Sequence, residues 1–481
     1  MLDILIRGGL VVGDGYELAL DVGIAGETIA LVGEADAAIE AGRVIDATGK
    51  IVMPGGVEAH AHIHEPMHRG WTGGEEVWLQ SPEGATRAAL HGGTTTVLSF
   101  AFMTVHVEKE LYDVNAAIAE RDAIFSARSY ADYAFHPVLA GAVSEHTLGT
   151  LAEAIQGGTP TVKVFTTDLT TKQAGVMIDS GSLRDVLGVV AAEGGILMSH
   201  SEDDGIIKRM EAKLRREDRA QLPNVHLVHT ALCEELAFRQ VATMARDAQA
   251  PLYFVHVCGA SALNVVEEAR TAGQPVYGEA LHNMLCFSLD DYLQPDGAKY
   301  HIGMGLRPKE DCAALWDGLA DGGALSTLAT DEYTTSFAVK MAGTDIESTP
   351  GGHVGIETRG MIGFSEGHRK GRMTLRRFVD LFSTNPAKVM GLYPRKGVIA
   401  PGSDADIVVW DPDVRRTITI DALHHEGDYS PWEGWDVEGW PAMTLRRGEV
   451  VVEDGELLAQ PGSGRFLKRA LDPTLGERPA I

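Results

Sequence analysis

Cysteine is scarce in this 481-residue chain. Its four cysteines, Cys233, Cys258, Cys286 and Cys312, form no CxxC pair and no tight framework, which excludes a disulfide scaffold or a Cys-rich zinc site. They read as reduced thiols in a cytoplasmic protein. Positive charge is short too. With 41 Lys and Arg against 68 Asp and Glu, the formal charge of -27 disfavours a nucleic-acid or anionic-membrane partner. No apolar run reaches the roughly 18 to 20 residues that a membrane helix needs. The opening "MLDILIRGGLVVGDGYE" carries Asp3 and Arg7 in a short strand-like run and has no signal-peptide core. No GxGxxG follows a first strand, which counts against an open dinucleotide-binding sheet.

What is present is globular: 44% hydrophobic and 23% charged residues allow a large core. The first fifty residues are glycine-punctuated strand runs such as "DILIRGGLVV" and "ETIALVGE", and the same texture returns in "ADIVVWDP" and "AMTLRRGEVVVEDGEL". Residues 1–52 and 396–460 are therefore expected to build one small β-sandwich domain from both chain ends. Between them, over 53–395, strand-like runs alternate with helical patterns, the order of a parallel α/β fold. Eight strands can be counted: "GGVEAH" ending at His60, "TTTVLSF", "DYAFHPV", "PTVKVFT", "GILMSH" ending at His200, "PLYFVHV", "QPVYGEA" and "ALSTLATD" ending at Asp331. This predicts a (β/α)8 TIM-like barrel, with Ser144 capping the helix in "SEHTLGTLAEAIQ".

In such barrels the active site gathers at the C-terminal ends of the strands. On this strand map His60 and His62 end strand one, His200 ends strand five, His256 lies near the end of strand six, and Asp331 closes strand eight. A single histidine is more often a packed or surface residue. Four imidazoles and a carboxylate on one rim are better explained as ligands for zinc or a similar divalent ion. His64 and His68 follow in a loop and are not counted as ligands, and His136, between Phe135 and Pro137, reads as a core histidine. Glu202 and Asp203 read as loop acids, one of which could orient an imidazole. Asp331 suits a helix cap, or a carboxylate that moves the nucleophile's proton to a leaving nitrogen.

Lys163, among Val162, Val164 and Phe165, is an ammonium in an apolar strand. Two readings stand. It snorkels to the barrel mouth and pairs with an acid, or it loses its proton and takes up carbon dioxide as a carbamate, an anion able to bridge two cations. The nearby imidazoles favour the carbamate.

The motifs "VMPGGVEAHAHIHEP", "GATRAALHGGTTTV", "VKVF", "MSHSED", "PLYFVHV", "VYGEA", "ATDEY", "STNPAKVMGLYPRKGVIAPGSDADIVVWDP" and "SPWEGW" together resemble the cyclic amidohydrolases of the amidohydrolase superfamily, the dihydropyrimidinase and hydantoinase group, over nearly the whole chain. The resemblance implies metal ligands at His60, His62, Lys163 as N6-carboxylysine, His200, His256 and Asp331, with Asp331 also catalytic. It implies two divalent ions, most often Zn2+ with Mn2+, Co2+ or Ni2+ as alternatives, and a bridging hydroxide that attacks a ring carbonyl. It further implies a small cyclic amide substrate and a homotetramer, to which the tail at 461–481 would contribute by reaching a neighbour.

Departures bear on the substrate. The tyrosine that dihydropyrimidinases and many hydantoinases carry after the modified lysine is absent, and "KVFTTDLTT" offers Thr166, Thr167, Thr170 and Thr171 instead. Dihydroorotases place an arginine where His64 stands. "HEPMHRGWTG" is similar to the allantoinase loop, "GSGRFLKR" to hydantoinases, and "GEALHNML" departs from all of them at His282. His64, Thr166 and Asn283 are the candidate substrate contacts. An allantoinase or another cyclic imide hydrolase is the alternative activity. A non-catalytic dihydropyrimidinase-related scaffold is disfavoured, because every ligand type is retained.

Overall fold

The computed structural model describes residues 1–36, 38–67, 71–72, 74–102, 112–168 and 175–481; His68, Thr170 and Thr171 lie outside them. Eight strands form the centre: Gly56–Ala61 (β1), Thr94–Ala101 (β2), Asp132–Pro137 (β3), Thr161–Phe165 (β4), Ile196–His200 (β5), Leu252–Phe254 (β6), Val276–Leu281 (β7) and Leu325–Ala329 (β8). Every residue in them is buried, as expected of parallel strands covered on both faces. β1 to β3 pair in parallel, as do β4 to β8. Parallel bridges Val138↔Lys163 and Ala61↔Glu332 close the two sheets into one ring.

The helices between strands start where local chemistry supplies caps. The Ser144 hydroxyl accepts from the Thr147 N–H at the start of Glu145–Gln156, and Thr230 does the same for Cys233 at the start of Ala231–Ala248. Two strands end earlier than the sequence suggests. β6 stops at Phe254 and β8 at Ala329, so His256 and Asp331 stand beyond the ladder. Both have left-handed backbones, φ +38° and +51°, which a regular strand cannot contain.

Both chain ends contribute to one nine-stranded sheet. Its joint is Ile51–Pro54, parallel to Leu2–Gly13 on one side and antiparallel to Ile407–Thr417 on the other. Ile6, Val22, Ile24, Ile407 and Leu445 belong to its separate apolar core. A buried ion cluster ties this sheet to the barrel: Lys396 Nζ lies 2.7 Å from Asp132 at the start of β3, 2.7 Å from Asp406 and 3.0 Å from Asp404. Arg447 adds a second cation to Asp132.

The tail folds back beneath the barrel: Phe466 bridges Tyr133, and Leu467 N–H donates to Tyr133 O at 2.8 Å. The buried Arg469 donates to Phe135 O at 2.6 Å and Met390 O at 3.0 Å. Leu467 and Leu475 join Val57, Leu98, Met198 and Tyr277 in one apolar cluster. Burying that surface on its own barrel outcompetes an extended arm.

Candidate active site

Four strand ends converge on one point. The alternation of β1 sends His60 and His62 the same way. His60 Nε2 lies 3.1 Å and His62 Nε2 3.3 Å from Asp331 Oδ1. These three donors form one group of metal-ligand dimensions, with all atoms within 4.8 Å of each other. Opposite them His200 Nδ1 faces His256 Nε2 at 2.9 Å, and the His60 and His256 rings are 5.7 Å apart.

The far side of the rings is equally ordered. Glu279 Oε1 takes His60 Nδ1 at 2.7 Å, Glu65 Oε2 takes His62 Nδ1 at 2.9 Å, and Glu202 Oε2 takes His200 Nε2 at 3.2 Å. A carboxylate can only accept, so it draws the ring proton to itself and turns the other nitrogen's lone pair inward. Three imidazoles thus turn their remaining ring nitrogens inward, two of them towards Asp331 and the third towards His256, a set of donor atoms able to ligate a cation. Glu202 also accepts from His229 Nδ1 at 2.8 Å, which makes it a buried organiser rather than a loop acid. Asp203 is a helix N-cap, accepting from Ile206 N–H at 2.8 Å.

Electrostatics follow this geometry. Burial would raise Asp331, but His60 and His62 hold it well below the usual carboxylate range. Burial lowers His200, and lowers His256 strongly, keeping both neutral and able to ligate. For His60 burial is outweighed by Glu279 and Asp331, so its pKa rises. Asp331 is not a helix cap: Ser336 caps the next helix, Phe337–Met341.

Lys163, in β4, is fully buried, and its Nζ has no hydrogen-bond partner among the described residues. The Phe100 and Phe165 rings stand near it, at 5.2 and 5.0 Å. Burial lowers its pKa to about 8 against the pull of Asp331, Glu279 and Glu65. The snorkelling reading required an acid partner within bonding reach, and none stands there among the described residues. An orphaned, readily deprotonated amine beside a ring of ligand-type donors fits a carbamate and the cations it would serve.

Of the candidate substrate contacts, His64 and Thr166 need correction. The His64 ring stacks on Trp78 at 5.0 Å, and its charged neighbours are Arg128, Arg121, Glu83 and Glu426 rather than the ligand set. The Thr166 hydroxyl donates to Glu202 O at 2.8 Å and accepts from Glu202 N–H at 2.9 Å, so it clamps the Glu202 loop instead of offering a free donor. Asn283 is fully buried just past β7, and its Nδ2 has no partner among the described residues. His136 is a core histidine, bonded to Thr161 Oγ1 at 2.6 Å and Ala59 O at 3.1 Å. Glu65 and Glu279 were missed. Glu65 follows His62 and His64 in one quoted motif, and Glu279 lies inside β7 in another, where the available signal was an acid in an apolar strand with no cation near it in sequence.

A closed parallel barrel with this rim defines the class of barrel hydrolases. Across residues 51–451 the chain matches the model of the amidohydrolase family. It is 36% identical to a D-hydantoinase of Streptomyces coelicolor over 97% of this chain and 98% of that one, and 35% identical to a D-hydantoinase of Geobacillus stearothermophilus over 89% and 88%. The solved structure of a dihydropyrimidinase from Brevibacillus agri superposes with a TM-score of 0.89 at 33% identity, covering 97% of this chain and 98% of that one. The chain belongs to the amidohydrolase family.

Proposed function

We propose that this enzyme hydrolyses a ring amide of a small cyclic ureide or imide, in the manner of a hydantoinase or dihydropyrimidinase. The observation that carries the reading is the inward turn of one ring nitrogen each of His60, His62 and His200, with a buried carboxylate on the other, around Asp331 and the orphaned Lys163.

His60, His62, Lys163 as carbamate, His200, His256 and Asp331 would hold two divalent cations, zinc by preference. When bound, these supply Lewis acidity, which makes water nucleophilic near neutral pH and polarises the carbonyl. Asp331, held ionised, accepts the proton of the attacking water. As oxygen adds to the carbonyl carbon and the ring C–N bond breaks, Asp331 returns that proton to the departing nitrogen, so water is consumed and one acyclic product forms. Glu279, Glu65 and Glu202 keep the imidazoles oriented through the cycle. His256 and Asp331 both sit in the left-handed region, and that strain is tolerated where it aims a functional group.

A homotetramer is proposed with this reading on the resemblance alone, and light scattering tests it; a cytoplasmic location is proposed from the four cysteines without a disulfide framework. The activity is tested by a hydrolysis screen over hydantoins, dihydrouracil, allantoin, dihydroorotate and simple imides, with metal analysis of the same preparation. Turnover of at least one ring with about two ions per chain is expected. A metal-replete, folded protein that opens none of them would overturn the proposal.

A further inference from the structure

Beside Asp331 the rim is completed by an unusual element. β8 pairs with β7 as far as Leu281↔Ala329, after which β7 turns into the short helix His282–Cys286. Three residues further along the β8 side, the neighbour of Glu332 is His353, joined by a parallel bridge and by Tyr333 N–H donating to His353 O at 3.0 Å. Tyr333 in turn sets its ring 5.7 Å from that of the candidate ligand His62. The segment is pinned there because Glu332 Oε2 accepts from Gly355 N–H and Ile356 N–H, both at 2.7 Å. His353 therefore occupies the rim position that β7 has vacated.

Its ring is 1% exposed, and Nδ1 lies 2.9 Å from Val354 O. A carbonyl only accepts, so Nδ1 carries the proton and Nε2 carries a lone pair. That Nε2 has no partner among the described residues. The His282 ring stands 5.8 Å away. Next to it Asn283 uses Oδ1 to accept from Met284 N–H at 2.8 Å, which identifies the free atom as the Nδ2 donor. Gly355 leaves room for the two rings: a Cβ there would stand 2.5 Å from His282 Cε1 and 3.2 Å from His353 Cε1. An unmet buried polar atom is costly, and a core without a ligand has no use for two of them, His353 Nε2 and Asn283 Nδ2, on neighbouring elements of the rim.

We propose that His353 Nε2 and Asn283 Nδ2 form a recognition pair, the first accepting from a ring N–H and the second donating to the adjoining carbonyl, on the edge of the substrate remote from the bond that is cleaved. This rests on the proposed ring-opening activity and narrows it to rings that carry a free N–H beside a second carbonyl. His282 supports the pair from behind, through Nε2 at 3.1 Å from Thr358 Oγ1 and its stack at 4.9 Å on Trp432. His353 and Asn283 are specificity residues; neither touches the candidate metal ligands through a hydrogen bond.

The test compares hydantoin with 1-methylhydantoin, which lacks the remote N–H but keeps the scissile bond. The wild type should favour hydantoin in kcat/KM by about tenfold or more. His353→Phe should remove that preference, lowering hydantoin turnover chiefly through KM while leaving 1-methylhydantoin within about threefold. His353→Gln, which keeps an acceptor, should restore part of it, and Asn283→Asp should weaken both rings by removing the donor. Equal use of the two rings by the wild type, or an equal loss on both in a His353→Phe protein with unchanged melting, would overturn the pair. If the wild type opens other rings but neither of these, the same comparison is made on a turned-over ring and its N-methyl derivative. If it opens no ring at all, the activity proposal falls, and equal calorimetric affinity of the zinc-loaded protein for the two hydantoins overturns the pair independently.

Discussion

Glu279 Oε1 stands 2.7 Å from His60 Nδ1 and 2.9 Å from the His256 backbone N–H, so one carboxylate from β7 positions both sides of the site. Its other oxygen accepts from Tyr253 OH at 2.7 Å, and that hydroxyl lies 2.6 Å from Thr327 Oγ1 in β8. Four strands are thereby locked around one acid. Glu279→Gln is expected to keep the fold but weaken metal retention about tenfold or more. Chelator competition and elemental analysis check this, and unchanged retention with full turnover would show that Glu279 is packing alone.

Lys163 gives the most distinctive prediction. Because burial brings its pKa down to about 8, the neutral amine that reacts with carbon dioxide grows as pH rises through that value. At a fixed concentration of dissolved carbon dioxide, reactivation of metal-stripped protein by zinc should accelerate from mildly acidic pH to about 9 and then level off. A pH-independent rate would count against the carbamate. Lys163→Ala should lose metal and activity together, partly rescued by a short carboxylic acid, whereas Lys163→Arg should remain inactive, since guanidinium keeps its charge.

At the other end of the barrel, removing the residues after Gly464 strips away Arg469 and the leucines packed under β3. A clear loss of stability is expected, and Arg469→Ala alone should cost about 2–4 kcal/mol by denaturant unfolding. A truncated protein with wild-type stability would mean that the tail only rests on the barrel.

Asp132→Asn would leave Lys396 and Arg447 facing each other with one acid fewer, at a cost of about 3–5 kcal/mol. The pH dependence has a definite sign. Burial raises the Asp132 pKa, but Lys396 and Arg447 outweigh it and bring it down to about 2. The folded pKa is below the unfolded value of about 3.9, so this contribution is complete above roughly pH 4 and disappears as pH falls towards 2. Acid unfolding of the variant should lack that component, and identical acid profiles would refute the assignment.

The barrel and its rim were legible because parallel strands buried on both faces read as near-continuous apolar runs, each closing on a polar residue such as His60 or His200. The two-residue spacing of His60 and His62 also translated directly into a shared direction. What stayed hidden depends on contacts remote in sequence. Nothing near Glu279 announces that it holds His60 of β1, and nothing near His353 announces that it replaces the end of β7. Thr166 looked like a substrate donor because only the structure brings the Glu202 backbone to its hydroxyl. The course of the tail was hidden for the same reason: nothing in "GRFLKRAL" announces that Arg469 donates to the carbonyls of Phe135 and Met390.

The pairing of Ile51–Pro54 with Ile407–Thr417 also governs the order in which the chain can fold during synthesis. The apolar strand edge Ile51–Val52–Met53 emerges early, yet its partner arrives only after the whole barrel has been translated. Through that interval the edge is open to pairing with another nascent chain. Slower production at reduced temperature should therefore favour soluble product, and the last sheet strands act as a latch that seals an already formed barrel.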